Sequence, residues 1–263
     1  MSKYSPFVFD QVASFYGQAR PTYPPQVFSD LRDICSLDWK SSVVEVGPGT
    51  GQASIPLAEL CGKLTCVEIG PRMAAVAATN LSTFPNVKVV CSAFEDWSPI
   101  EEAFDLVFTI TAWHWLDPMR RYTKAHEVLR PRGYLAVASG GHTFPPDYDR
   151  LFERISDVYH EVLEGNIRWT WPRPASEETP DEREDMTKTG HFEFVESKRY
   201  GWYVDYSPDH YIELLKTFSD HISLPAKKSD RIYQGIHKLI AERPGQTLRK
   251  HYLTILNIAR ARA

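Results

Sequence analysis

The chain has 263 residues, 43% of them hydrophobic, and a formal charge of −4. Its length allows one large α/β domain carrying a cap, while its scattered Lys and Arg disfavour nucleic acid as a partner, because backbone binding needs a concentrated positive surface. No apolar run approaches the ~20 residues of a membrane span, and MSKYSPFVFDQ lacks a signal-peptide core, so a soluble, cytoplasmic protein without a membrane partner is expected.

In chain order, the leader FYGQARPTYP, Phe15 to Pro24, reads as a helix and turn. Val43, Val44 and Val46 then suit a buried parallel strand that runs into three alternating glycines, Gly47, Gly49 and Gly51, with an amphipathic helix expected from about Gln52 to Cys61. Further strands are expected near 63–68, 87–91, 104–110 and 133–139, beside the first near 42–47. Helices fit between them, one opened by Asp117 with Pro118 in its first turn and closed by Arg130-Pro131. Strand and helix thus alternate as in a doubly wound parallel sheet.

From Gly140 to about Gly190 the composition shifts to Pro, Glu, Asp and Arg, interrupted by a helix with Leu151, Ile155, Val158 and Val162 on one face. The stretch Trp169 to Asp185 is polar and proline-punctuated, the best candidate for a mobile segment. A long strand from Phe192 to Tyr206 follows, then a helix started by Ser207-Pro208 and another over 229–242. Periodicity leaves the tail after Pro244-Gly245 open between strand and helix. The boundaries read as a leader over 1–40, a nucleotide-binding core over 41–140, and cap helices with the last two strands over 141–263.

Glycines at a strand end, ahead of a helix N-terminus, bring backbone amides close to an anionic ligand. Glu68, at the end of the second strand, is a carboxylate able to accept both hydroxyl protons of a ribose. A dinucleotide fingerprint reads Gly-x-Gly-x-x-Gly, but here the third glycine comes one residue early and Gln52 fills its place. No Gly-Lys-Ser/Thr ending follows, which excludes a P-loop. Cys35, Cys61, Cys66 and Cys91 show neither Cys-x-x-Cys spacing nor a paired His motif, so reduced thiols and no metal are expected.

The Glu-x-Gly-x-Gly-x-Gly run with Glu68 resembles the first motif of class I S-adenosylmethionine-dependent methyltransferases. FYGQARPTYP, AFEDW (93–97), FDLVFTITAWHWLDP (104–118) and LRPRGYL (129–135) resemble a subgroup that includes trans-aconitate methyltransferases. The resemblance implies a Rossmann-like, mostly parallel seven-stranded sheet with an antiparallel last strand and a helical cap. It implies S-adenosylmethionine as cofactor and a methyl acceptor that is a small organic molecule. It places Val46, Gly47, Gly49 and Gly51 at the methionine end, Glu68 and Ile69 at ribose and adenine, Ala93 and Phe94 at the adenine edge, and Thr111 beside the sulfonium. Many relatives carry an aspartate where this chain has Ala93; Ser92 or a carbonyl would substitute. Asp105 opens a strand and reads as structural. Tyr16 or Arg20 would meet the methionine carboxylate, the alternative being an ordinary surface arginine beside Pro21.

His114 lies just beyond the fourth strand, on the edge where open α/β sheets bind ligands, and is the expected proton acceptor; the alternative is a packed Trp113-His114-Trp115 wall. Trp113, Trp115, Trp169, Trp171 and Trp202 point to an aromatic acceptor pocket or, alternatively, to core and cap packing. His142, His160, His191, His210, His221, His237 and His251 are dispersed and receive no role. Competing readings are a nicotinamide-dependent oxidoreductase, at odds with the glycine spacing, and a non-catalytic scaffold that only binds S-adenosylmethionine. A nucleic-acid or protein methyltransferase lacks support, since Thr111-Ala112-Trp113-His114 stands where Asn/Asp-Pro-Pro-Tyr/Phe would be.

Overall fold

In the computed structural model, which describes residues 6–99, 103–165 and 181–263, the valine run forms β1 (Ser42–Val46) at the middle of a seven-stranded sheet. Strands β2 (Lys63–Glu68) and β3 (Val87–Cys91) lie on one side, and β4 (Phe104–Ile110) and β5 (Leu129–His142) on the other. The sheet then continues through β7 (Leu248–Ala261) to β6 (Phe192–Tyr206) at the edge. The order is β3-β2-β1-β4-β5-β7-β6, with β7 antiparallel to both neighbours and the rest parallel. This is the doubly wound topology expected. The tail that periodicity left open is a strand because two partners flank it.

A 3-10 segment (Pro6–Val12) and α1 (Ala13–Ala19) precede α2 (Pro25–Cys35). Within the sheet's windings come α3 (Ser54–Ala58), α4 (Pro71–Asn80) and α5 (Arg121–Val128); the cap holds α6 (Leu151–Val162), α7 (Arg183–Lys188), α8 (Pro208–Lys216), α9 (Ser219–Ile222) and α10 (Ala226–Ala241). Pro25, Pro71 and Pro208 each stand at a first helical position, where the missing N–H costs nothing. The Ser207 hydroxyl caps α8 by accepting the His210 amide.

Three boundaries differ from the sequence reading. Helix α3 is shorter than 52–61, because Pro56 has no N–H to close a bond to Gln52 and the preceding residues stay in the glycine turn. Helix α5 starts a turn later than Asp117, whose carboxylate instead caps that turn through the Met119 amide. Strand β5 begins at Leu129, opposite Phe104, and reaches Pro131 and Gly133 across a register shift. Trp169 and Trp171 lie outside the described residues, as do Glu101 and Glu102.

One face of the sheet packs Phe108 and Leu106 against Leu31 of α2 and Leu57 of α3. The other packs Val44 and Val107 against Tyr122 and Val128 of α5, with Trp113 filling the gap. A third apolar cluster joins Ile155 of α6, Leu215 of α8, and Ile232 and Ile236 of α10 to Leu248 and Tyr206. The stripe expected on α6 accounts for this: Leu151, Ile155 and Val162 are buried and Val158 is half-buried. Asp105 is buried and accepts the Ser42 amide at 2.8 Å, fastening β4 to the start of β1 while pairing with Arg130. Cys35, Cys61 and Cys66 are buried and free; Cys91 is exposed. No helix among the described residues is long and apolar enough to cross a membrane.

Candidate active site

At the C-terminal ends of β1 and β4 the strand order reverses, and a crevice of about 630 Å³ opens there. Immediately after β1, Gly47 turns the chain at φ +67° and Gly49 at φ +61°, conformations that a side chain would strain. A Cβ on Gly47 would also stand 2.5 Å from that of Ala112, so glycine is required twice over. Gly51 does not reach the crevice wall. It faces Leu81 instead, where a Cβ would meet the leucine at 3.4 Å.

Glu68, at the tip of β2, is buried and held from both sides: Oε2 accepts the Gly49 amide at 3.0 Å and Oε1 the Gly70 amide at 2.9 Å. Burial lifts its pKa above the ordinary carboxylate value, and the Gly70 and Gly49 amides oppose that rise. Each oxygen keeps a second lone pair for a ligand. The leader brings Asp10 alongside. Its Oδ1 accepts the amides of Arg72 (2.7 Å) and Met73 (2.9 Å), capping α4 from the 3-10 segment 62 residues upstream.

Thr111 closes β4 with φ +58°, a costly geometry for a β-branched residue. Its Oγ1 shares a hydrogen bond of 3.2 Å with the Tyr23 hydroxyl, and its amide donates to the Ala138 carbonyl at 2.9 Å. In the 3-10 turn that follows, the three aromatic residues part company. Trp113 turns inward against Tyr122, whereas His114 and Trp115 face the crevice, Trp115 edge-on to Phe9 of the leader. Although His114 is exposed at the crevice, partial desolvation there, and then the Arg121 charge, lowers the imidazole pKa below its usual value, which favours a neutral ring near pH 7.

Arg20, just past the end of α1, donates through Nε to Thr217 Oγ1 (2.8 Å) and through Nη2 to the Thr217 carbonyl (2.9 Å), lying 4.5 Å from the centre of the Phe218 ring and 5.0 Å from that of Tyr16. It is therefore no loose surface arginine. It ties the leader to the cap across the crevice mouth. Behind Tyr16, Arg20 and Thr111 lies a second cavity of about 240 Å³, lined also by Trp202, Tyr252 and the buried Lys250. Burial, and then the nearby Arg20, lowers the Lys250 pKa to about 7, while Asp220 works the other way.

A methyltransferase domain matches residues 44–137, the stretch from β1 into β5 that carries the glycine turn, Glu68 and Thr111. This match and the relatives together support a class I S-adenosylmethionine-dependent methyltransferase. This methyltransferase is 24% identical over 240 residues to an uncharacterised methyltransferase of Mycobacterium tuberculosis, covering 90% of this chain and 86% of the relative. It is 30% identical to the trans-aconitate 2-methyltransferase of Deinococcus radiodurans over 154 residues, 56% of each chain. Its fold is shared, with a TM-score of 0.61 at 21% identity over 92% of this chain and 97% of the other, by a protein of Anaeromyxobacter dehalogenans provisionally assigned as a type II methyltransferase.

Tyr16, Arg20, Val46, Gly47, Gly49, Glu68, Ile69, Ala93, Phe94, Thr111 and His114 all border one crevice of the methyltransferase, whereas Gly51 and Trp113 do not. Ser92, read as a possible stand-in at the adenine edge, donates its hydroxyl to the Ala93 carbonyl. Several bordering residues escaped sequence reasoning: Phe9, Asp10, Glu95, Phe218 and Asp220 line the crevice, and His142, His221 and Lys250 line the cavity behind it. Asp10 carried a weak signal, the single charge in the run Pro6 to Val12. Lys250 carried none, since a lysine in a tail strand reads as solvated. Among the described residues no group of three His, Cys, Asp or Glu is placed to hold a metal ion.

Proposed function

We propose that S-adenosylmethionine lies in the 630 Å³ crevice and that its methyl group passes to a small organic acceptor entering from the cap side. The observation that carries this reading is the Glu68 carboxylate, fixed by the Gly49 and Gly70 amides at the strand-order reversal with lone pairs left for a ribose diol. Ile69, Ala93 and Phe94 offer an apolar slot for a purine next to it, and Val46, Gly47 and Gly49 offer backbone to the methionine end. Tyr16 and Arg20 close that end from the leader. The bound sulfonium supplies the reactive methyl group, so the chain's own residues contribute orientation, exclusion of water and proton removal.

Orientation falls to Thr111, whose strained backbone is held by Tyr23 and by β5, and to Gly47, whose turn packs on Ala112. Phe9, Trp115 and Phe218 shield the crevice mouth from water. Neutral His114 at that mouth can take the proton of a hydroxyl or amine acceptor as its oxygen or nitrogen attacks. The size of the second cavity, about 240 Å³, supports a small acceptor over a macromolecule. The test is incubation with methyl-labelled S-adenosylmethionine and a cell extract separated into metabolite, protein and RNA fractions. Label in a small metabolite is expected; label confined to protein or RNA, or tight NAD binding with no affinity for S-adenosylhomocysteine, would overturn the proposal.

A further inference from the structure

Gly47, Gly49, Thr111 and Gly140 border both cavities, whereas Glu68, Ala93 and Phe94 border the first alone. The second cavity therefore adjoins the end of the crevice that the cofactor reading gives to methionine and sulfur, away from the end given to ribose and purine. Left-handed backbone accounts for Gly47 and Gly49. Gly140 has no such reason to be glycine.

Gly140 lies in β5 opposite Thr254 of β7, is exposed, and keeps its φ outside the left-handed region. Among the described residues an added Cβ would meet Thr111 Cγ2 at 3.3 Å and Thr254 Oγ1 at 3.9 Å, both side-chain atoms. No backbone atom stands in its way. Glycine within a strand costs conformational entropy and gives up packing, so the missing side chain at this position is a cost without a local return. What it leaves is a gap that an alanine methyl would close up to Thr111.

Thr111 holds the other side of that gap. Its φ of +58° is fixed by the amide bond to the Ala138 carbonyl at 2.9 Å, and its Oγ1 is hydrogen-bonded to the Tyr23 hydroxyl at 3.2 Å. With the hydroxyl so engaged, the Cγ2 methyl is the atom turned to Gly140. A fixed methyl thus faces bare backbone where the two cavities meet.

We propose that Gly140 is a specificity-determining residue: the gap beside Thr111 receives the group carried on the cofactor sulfur, and its width sets how large that group can be, the second cavity taking what extends beyond it. The proposal rests on the cofactor reading above and deepens it. A sulfonium bearing an allyl group in place of methyl therefore fits the wild-type protein.

The test measures by calorimetry the affinities of S-adenosylhomocysteine, S-adenosylmethionine and the S-allyl analogue of S-adenosylmethionine. Wild type is expected to bind the allyl analogue within about ten-fold of S-adenosylmethionine. Gly140→Ala should weaken the allyl analogue about ten-fold or more, the low end of what overfilling a packed site costs, and Gly140→Val should weaken S-adenosylmethionine as well. Both variants should keep S-adenosylhomocysteine within about three-fold of wild type. Thr111→Ser keeps the hydroxyl and removes the methyl that faces Gly140, so adding it to Gly140→Ala should restore allyl binding. Gly201→Ala, in β6, should match wild type with all three ligands. Rejection of the allyl analogue by wild type, undiminished allyl binding in Gly140→Val, equal loss of all three ligands in the Gly140 variants, or no recovery in the double variant would each overturn the proposal. The wild-type comparison decides even if a variant fails to fold. Absence of S-adenosylhomocysteine binding in the wild type would instead remove the cofactor reading, and this proposal with it.

Discussion

Glu68 accepts the amide of Gly49 at 3.0 Å, which joins the end of the second strand directly to the glycine turn after the first. The two strand ends that border the crevice are thus one hydrogen-bonded unit. Replacing Glu68 with Ala removes the proposed diol acceptor and leaves the Gly49 and Gly70 amides without their partner. Charge-assisted hydrogen bonds of this kind contribute about 1.5–3 kcal/mol each. Calorimetry should show S-adenosylhomocysteine affinity reduced by roughly 100-fold or more, and unchanged affinity in Glu68→Ala would sink the cofactor assignment.

Gly47→Ala forces a side chain into left-handed backbone and against Ala112, whereas Gly201, in β6, has nothing within 4 Å of an added Cβ. The first substitution should destabilise by about 2 kcal/mol or more, given ~1–2 kcal/mol for the backbone alone plus the clash. Thermal melts should place Gly47→Ala at least ~4 °C below wild type and Gly201→Ala within about a degree of it. Similar melts for the two variants would contradict the strained-turn account.

His114→Ala should lower kcat for a hydroxyl acceptor by at least ~100-fold, the lower end of general-base contributions. Because its pKa lies below the usual imidazole value, the wild-type rate should hold as pH falls through about 6.5, the ordinary value, and decline only below it. A near-normal rate in the variant would remove His114 from proton transfer.

Arg20→Ala unties the leader from Thr217, and Tyr16→Phe takes one hydroxyl from the same wall. S-adenosylhomocysteine affinity should fall about ten-fold or more in Arg20→Ala, the loss expected for charge-assisted bonds at a lid, and less in Tyr16→Phe. If titration finds both variants as tight as wild type, the leader does not cover the cofactor.

Glu45 is 1% exposed, with Oε2 accepting the Ser54 hydroxyl at 2.5 Å, and burial raises its pKa to about 7. The native state therefore holds a proton that the unfolded chain, titrating near the ordinary glutamate value of 4.5, releases. That contribution is complete below about 4.5 and is lost as pH rises through about 7. Glu45→Gln should flatten this slope, so the unfolding free energy of wild type relative to the variant should drop between pH 5 and 7.5, by an amount on the order of 2 kcal/mol. A constant difference across that range would show that Glu45 is ionised in the fold.

The alternating strands and helices were legible because burial between helical layers demands continuous apolar runs such as Val43 to Val46 and Leu106 to Ile110. The glycine turn was legible because positive φ restricts residue type at fixed spacing, and the place of Glu68 at a strand tip followed from the second apolar run before it. Helix α3 was overdrawn because hydrophobic periodicity does not register the turn that Pro56 and the glycines enforce. Trp113 and Trp115 were read together, as pocket or as core packing, because spacing alone does not show that a 3-10 turn parts them, burying Trp113 in the core while Trp115 faces the crevice.

The sequence by itself determined the sheet, the cradle and the class of enzyme, since each depends on contacts between residues near in sequence or on a spacing that chemistry restricts. Only the tertiary structure decided that Asp10 caps α4, that Arg20 is tied to Thr217, and that Lys250 faces an aromatic cavity. Those three join the leader, the cap and the last strand across separations of up to 197 residues. A charged side chain in a terminal strand reads as solvated from its neighbours alone, and it is burial by distant elements that gives Lys250 its character.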